Sequence, residues 1–239
     1  MPAKHRIKEY DEDAWYHLFN RGVEKQRIFR DEQDYAVILS YLKTYLEPKD
    51  EEQLRKVLAS PASGWREKNV AIKLLRLNNF HEDLMLCAYC LMPNHFHLLV
   101  HQRKSDTIDR FVNSIGTRFS MYFNKKYKRI GPLFQGVYKA VRITSDEQLL
   151  YLTRYIHRNP FSLPFAKKLA SQGQALRSWS YSSYHEYLSL RNTSWVKPQE
   201  ILSQFSEKGW TSYQGFVEDK ALEEIAVKII GNSTIDDEF

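Results

Sequence analysis

Residues Asp83 to Val100 read DLMLCAYCLMPNHFHLLV. Two apolar runs flank Met92-Pro93-Asn94, and proline starts a strand more readily than it sits inside one. The stretch therefore predicts two consecutive strands joined by a tight turn. On the first, Cys87 and Cys90 are three apart and are expected to face opposite ways. That spacing argues against a redox pair, and two cysteines in the whole chain exclude a four-cysteine zinc site. They read as small core residues. On the second strand His95 and His97 leave the same face, with Phe96 directed to the other. Two imidazoles so placed can converge on one metal ion. A bare His-x-His pair also occurs as a surface or structural feature, so its meaning depends on what lies elsewhere in the chain.

Elements on either side of this hairpin set the fold class. Ala14 to Asn20 (AWYHLFN) predicts a first strand closed by Arg21-Gly22. Asp31 is placed to cap a helix with its apolar face at Tyr35, Ile38, Leu39, Tyr41, Leu42 and Tyr45. Residues 46–70 are charged, contain Pro61 and Gly64, and read as an insertion; Val70 to Asn78 fits helix or strand. Downstream, Ile108, Phe111, Val112, Ile115, Phe119, Tyr122 and Phe123 give Thr107 to Tyr127 a helical period. Val137 to Ile143 fits a strand, and Ser145 opens a helix ending at Asn159-Pro160. The order β-α-β-β-α-β-α predicts an α+β fold, with helices packed on a mostly antiparallel sheet. Residues 1–190 are read as one domain. Residues 191–239 form an extension with an acidic tail from Glu218, including Asp236, Asp237 and Glu238.

The chain has 239 residues, 43% hydrophobic and 14% aromatic, enough for a substantial core. Its net charge is +6 and its isoelectric point about 9.1, which favours a polyanionic partner. No run of eighteen apolar residues is present, and Met1 to Asp13 lack a signal peptide's apolar segment. The expectation is a soluble, cytoplasmic protein with no membrane partner.

Two further features give the histidine pair a chemical context. Tyr155 and Asn159 are four apart on a predicted helix and share a face. Taken singly, such a tyrosine is packing and such an asparagine a helix terminus. Beside two histidines they supply a hydroxyl nucleophile and a carboxamide oxygen, the complement phosphodiester transfer needs. Between His101 and Arg142, ten Lys and Arg oppose Asp106 and Asp109, a net of +8. Within it, Arg118, Lys125, Lys126, Lys128, Arg129, Lys139 and Arg142 lie among aromatic residues, a pattern suited to phosphate contacts and base stacking. Tyr122, inside the basic stretch, is a rival nucleophile. His157 lies off the Tyr155–Asn159 face, and His17 reads as strand packing, with a role near the site as the second reading.

Five strings then resemble the single-tyrosine HUH transposases, in the branch associated with repetitive extragenic palindromes (REP). They are YHLFNRG from Tyr16, LMPNHFHLLV from Leu91, Tyr122-Phe123-Asn124 leading to GPLFQG from Gly131, YIHRNP from Tyr155 and WSYSSY from Trp179. They occur in the family's order over residues 14–187. Val137 and Phe119 stand where relatives often carry Arg and Tyr. The resemblance implies a ferredoxin-like fold with the histidine pair on a central strand. It implies that Tyr155 forms a 5′-phosphotyrosine and frees a 3′-OH. His95, His97 and Asn159 would hold Mg²⁺ or Mn²⁺. The substrate implied is single-stranded DNA with REP-like hairpins, processed by a nucleoid-associated monomer or homodimer. The alternative is a domesticated DNA-binding protein with vestigial cleavage.

Overall fold

A computed structural model describes residues 10–169, 172–205 and 212–231. Its sheet has four strands: β1 (Ala14–Arg21), β2 (Leu84–Met92), β3 (His95–Gln102) and β4 (Lys139–Ile143), in the spatial order β2-β3-β1-β4. Every neighbouring pair is antiparallel. Helix α1 (Glu32–Leu46) leads from β1 towards β2, and α4 (Thr107–Tyr127) connects β3 to β4. This is the ferredoxin-like βαββαβ arrangement expected from the sequence. Between α1 and β2 lie α2 (Glu51–Ala59) and α3 (Trp65–Arg76), which pack on one another. The ambiguous segment from Val70 is thus mostly helix. Among the described residues, no helix is long and apolar enough to cross a membrane.

The uniform apolarity of Leu98-Leu99-Val100 follows from cover on both faces of the sheet. Leu98 and Val100 pack with Leu18, Tyr35, Leu42, Phe111 and Phe119 under α1 and α4. Leu99 faces the other way, with Leu149, Leu152 and Ile156 of α5 (Asp146–Arg158). Each large side chain so buried is worth roughly 1.5–3 kcal/mol before chain entropy is set against it.

One expectation is corrected on β2. A bulge between Leu86 and Ala88 inserts an extra residue and resets the alternation. Cys87 and Cys90 therefore join the same core layer, on the α5 side. Both are free and fully buried, and burial pushes both thiols up, so their reading as core residues holds.

Helices α1 and α4 are tied by a polar lock. Asp31 caps α1 and accepts from the Asp34 N–H at 3.1 Å. Buried Asp34 accepts from Arg30 N–H, Tyr122, Tyr127 and Lys126, at 2.8–2.9 Å. Burial acts to raise the Asp34 pKa, but these partners outweigh it and the net shift is downward. A carboxyl lowered on folding stabilises above its unfolded pKa of about 4, and that contribution is lost as pH falls through the folded value. Asp34→Asn is accordingly expected to cost about 1–3 kcal/mol at pH 7, the range for a buried group losing its partners. The difference should shrink at pH 3. Urea denaturation at both pH values checks this, and an equal difference at the two would contradict it.

Candidate active site

The His pair stands at the turn-proximal end of β3, opposite the end of β1. His95 is paired with Arg21 and His97 with Phe19. The two imidazole centroids are 5.0 Å apart. Gly22 closes β1, and its N–H donates to Asn94 O at 2.8 Å. A Cβ at Gly22 would lie 2.2 Å from Gln26 O, so the close approach of the chain here requires glycine.

Helix α5 brings the other two predicted residues to the same place. Ser145 caps it through the Gln148 N–H, and Pro160, which has no N–H to continue the helix, follows Asn159. Leu149, Leu152 and Ile156 seat the helix on the sheet. Tyr155 then presents its ring edge-on to His97, with centroids 5.4 Å apart. Asn159 Nδ2 donates to Tyr155 O at 3.2 Å, which turns its Oδ1 to within 3.1 Å of His95 Nε2. The structure therefore gathers His95, His97, Tyr155 and Asn159 from two elements of one chain.

The donor set fits a divalent cation. On the far side of the ring, His95 Nδ1 lies 2.8 Å from Asn94 Oδ1, an oxygen that can only accept. A neutral His95 that donates there turns its Nε2 lone pair towards Asn159 Oδ1, 3.1 Å away. His97 Nε2 is buried and has no hydrogen-bond partner. Burial, then His95 and His17, hold the His97 pKa well below the usual imidazole value, with Asn159 acting in the opposite direction. A neutral ring is the ligand form of histidine. No group of three or more His, Cys, Asp or Glu suited to a metal occurs among the described residues; the set here is two imidazoles and a carboxamide.

The remaining predicted residues separate. Tyr122 donates to Asp34 at 2.9 Å in the α1–α4 lock, on the opposite side of the sheet from His97. Lys126, read as a DNA contact, forms ion pairs with Asp31 and Asp34 at 2.7 and 2.8 Å, so the lock consumes its charge. Arg118 stacks over Tyr41 at 3.8 Å, and Arg129 donates to Asn124 at 3.2 Å. Arg142 pairs with Asp11 at 2.5 Å. Lys125, Lys128 and Lys139 are exposed. Lys139 is paired with Phe19, itself paired with His97, so it leaves the sheet on the histidine face. The loop after α4 also reaches this end: Gln135 N–H donates to Arg21 O, and Arg21 Nε to Gln135 Oε1, both at 2.8 Å.

His157 is structural, bonded to Tyr213 at 2.6 Å and Ser183 at 2.8 Å. The residue that sequence reasoning undervalued is His17. Its Nε2 is 2.9 Å from His97 Nδ1, and both rings are fully buried. In the sequence its signal was its place in an otherwise apolar strand.

The C-terminal region is also more than an acidic tail. Helices α6 (Tyr213–Glu218) and α7 (Glu223–Ile230) lie against the back of α5. Buried Arg154 donates to Phe216 O at 3.0 Å, and Arg158 to Val217 O at 2.8 Å. Glu223 pairs with both arginines. Asp236, Asp237 and Glu238 lie outside the described residues.

Residues 64–159 match the family described as "Transposase IS200 like". That segment runs from the residue before α3 to Asn159 and contains all four clustered side chains. The resemblance drawn from the sequence is borne out at the level of this family, and with it a transposase-like, DNA-processing role. Among solved structures, a REP-associated tyrosine transposase bound to a REP hairpin is similar over 82% of this chain and 97% of its own, at 12% identity and a TM-score of 0.42. A protein of Deinococcus radiodurans R1, described as a transposase, is similar over 65% of this chain and 95% of its own, at 17% identity and a TM-score of 0.31. No curated protein matches the sequence.

Proposed function

We propose that this chain nicks and rejoins single-stranded DNA beside REP-like hairpins, through a 5′-phosphotyrosine at Tyr155. The observation that carries the reading is the convergence of Tyr155 and Asn159 with His95 and His97 in one site. In the forward step Tyr155 Oη bonds to the scissile phosphorus and the bond from phosphorus to the 3′ oxygen breaks. The tyrosine proton leaves and the departing oxygen gains one, so protons balance. The phosphotyrosine keeps the bond energy, and attack by a 3′-OH reverses the step without ATP.

His95 Nε2, His97 Nε2 and Asn159 Oδ1 would hold Mg²⁺ or Mn²⁺. When bound, the ion supplies charge neutralisation at the phosphate and the leaving oxygen. Asn94 fixes the His95 ring, and Pro160 ends the helix so that Asn159 stays one turn from Tyr155. Lys139 on the histidine face, with Lys125 and Lys128, offers positive charge to the DNA backbone. We take residues 1–190 as the catalytic unit, with 46–70 an insertion, and 191–239 as an extension whose residues 213–230 brace α5.

The test is cleavage of labelled, hairpin-bearing single-stranded DNA with Mn²⁺ or Mg²⁺ and with chelator. Metal-dependent nicking, lost in His95→Ala, is expected. Hairpin binding without cleavage under either metal would favour the domesticated DNA-binding alternative.

A further inference from the structure

His17 has no part in the chemistry above, yet it is fully buried against one of the two histidines that carry it. In the β1–β3 register His17 is opposite Leu99 and His97 opposite Phe19, so the two imidazoles are diagonal neighbours on one face. Their ring planes are within 19° and their facing nitrogens, His17 Nε2 and His97 Nδ1, are 2.9 Å apart. A contact that short between ring nitrogens holds one proton, so one ring donates and the other accepts. Two arrangements exist. If His17 donates, a neutral His97 carries its proton on Nε2, the buried atom with no partner, and offers no lone pair to the site. If His97 Nδ1–H donates, the Nε2 lone pair points where His95 Nε2 and Asn159 Oδ1 gather.

We propose that His17 is a positioning residue that accepts from His97 Nδ1–H and thereby fixes the tautomer and ring orientation in which His97 Nε2 can ligate a metal. The inference rests on the metal-site reading above and deepens it. It does not place His17 in contact with DNA or metal. A ligand histidine is ordinarily oriented by a partner at its other nitrogen, and loss of that partner weakens metal binding by roughly 10–100-fold. The partner at that position is more often a carboxylate or backbone carbonyl. Here a second imidazole takes that place, fully buried between Phe19 and Tyr155, with ring centroids at 4.8 and 6.2 Å.

The tautomer can be read without metal, by long-range ¹H–¹⁵N correlation of the ¹⁵N-labelled protein, with His97 assigned by substitution. The Nδ1–H form is expected in the wild type. His17→Phe removes the acceptor and is expected to weaken Mn²⁺ binding, measured by calorimetry, about 10–100-fold. His17→Gln, whose amide oxygen can stand where His17 Nε2 stands, should remain within a few-fold of wild type. An Nε2–H tautomer in the wild type would overturn the proposal, even if neither variant folds. So would unchanged Mn²⁺ affinity in a folded His17→Phe. Failure of the wild type to bind Mn²⁺ with the Nδ1–H tautomer present would instead overturn the metal reading and leave the His17–His97 orientation standing.

Discussion

Tyr155→Phe should abolish the covalent protein–DNA adduct while leaving hairpin affinity within a few-fold. The substitution removes one oxygen and keeps the ring that packs edge-on against His97 and His17. The metal-binding set is therefore undisturbed, and a loss of activity isolates the nucleophile. Removing a catalytic nucleophile lowers turnover on the order of 10⁴-fold or more. Tyr122→Phe is the matched control, since its hydroxyl is spent on Asp34 across the sheet. It should cleave at a rate close to wild type. Gel resolution of the adduct from free labelled DNA, with both variants in parallel, checks the pair.

The second large effect concerns stability. Arg154 is 1% exposed and donates to two backbone carbonyls, those of Phe216 and Asp219. Charge-assisted bonds of this kind are worth roughly 1.5–3 kcal/mol each. Arg154→Ala should therefore destabilise the protein by about 3–5 kcal/mol and release α6 and α7 from α5. Denaturant midpoints give the magnitude, and amide hydrogen exchange over residues 213–230 gives the location. A loss below about 1 kcal/mol, or unchanged protection there, would contradict this account of the extension. Glu223 is more than half exposed, so Glu223→Gln should cost much less.

What could be read from the sequence was what depends on local period. The alternation about His95 and His97, the 3.6-residue period from Ile108 to Phe123 and the caps at Asp31 and Ser145 are short-range signals. They placed β3, α4, α1 and α5 to within a residue or two. The four clustered side chains were legible because each carried a second cue: a two-residue or four-residue spacing, or a family string. What was missed depends on distant partners. Lys126 looks like one of a run of free cations until α1 brings Asp31 and Asp34 against it. His17 looks like packing until β1 pairs with β3. The bulge at Leu86–Ala88 leaves no mark in composition, so strict alternation puts Cys87 and Cys90 on opposite faces when they share one. Glu218 and Glu223 read as parts of an acidic tail because nothing local shows that Arg177, Arg154 and Arg158 receive them.

The proposed phosphoryl-transfer centre stands or falls on which atom becomes bonded to DNA. Full-length protein would be incubated with hairpin-bearing single-stranded DNA and Mn²⁺, digested, and the DNA-bearing peptide sequenced by mass spectrometry. The site described here predicts a 5′-phosphoryl group on Tyr155, with a free 3′-OH on the released strand. An adduct on Tyr122, or cleavage that leaves both ends hydrolysed and no protein attached, would contradict it.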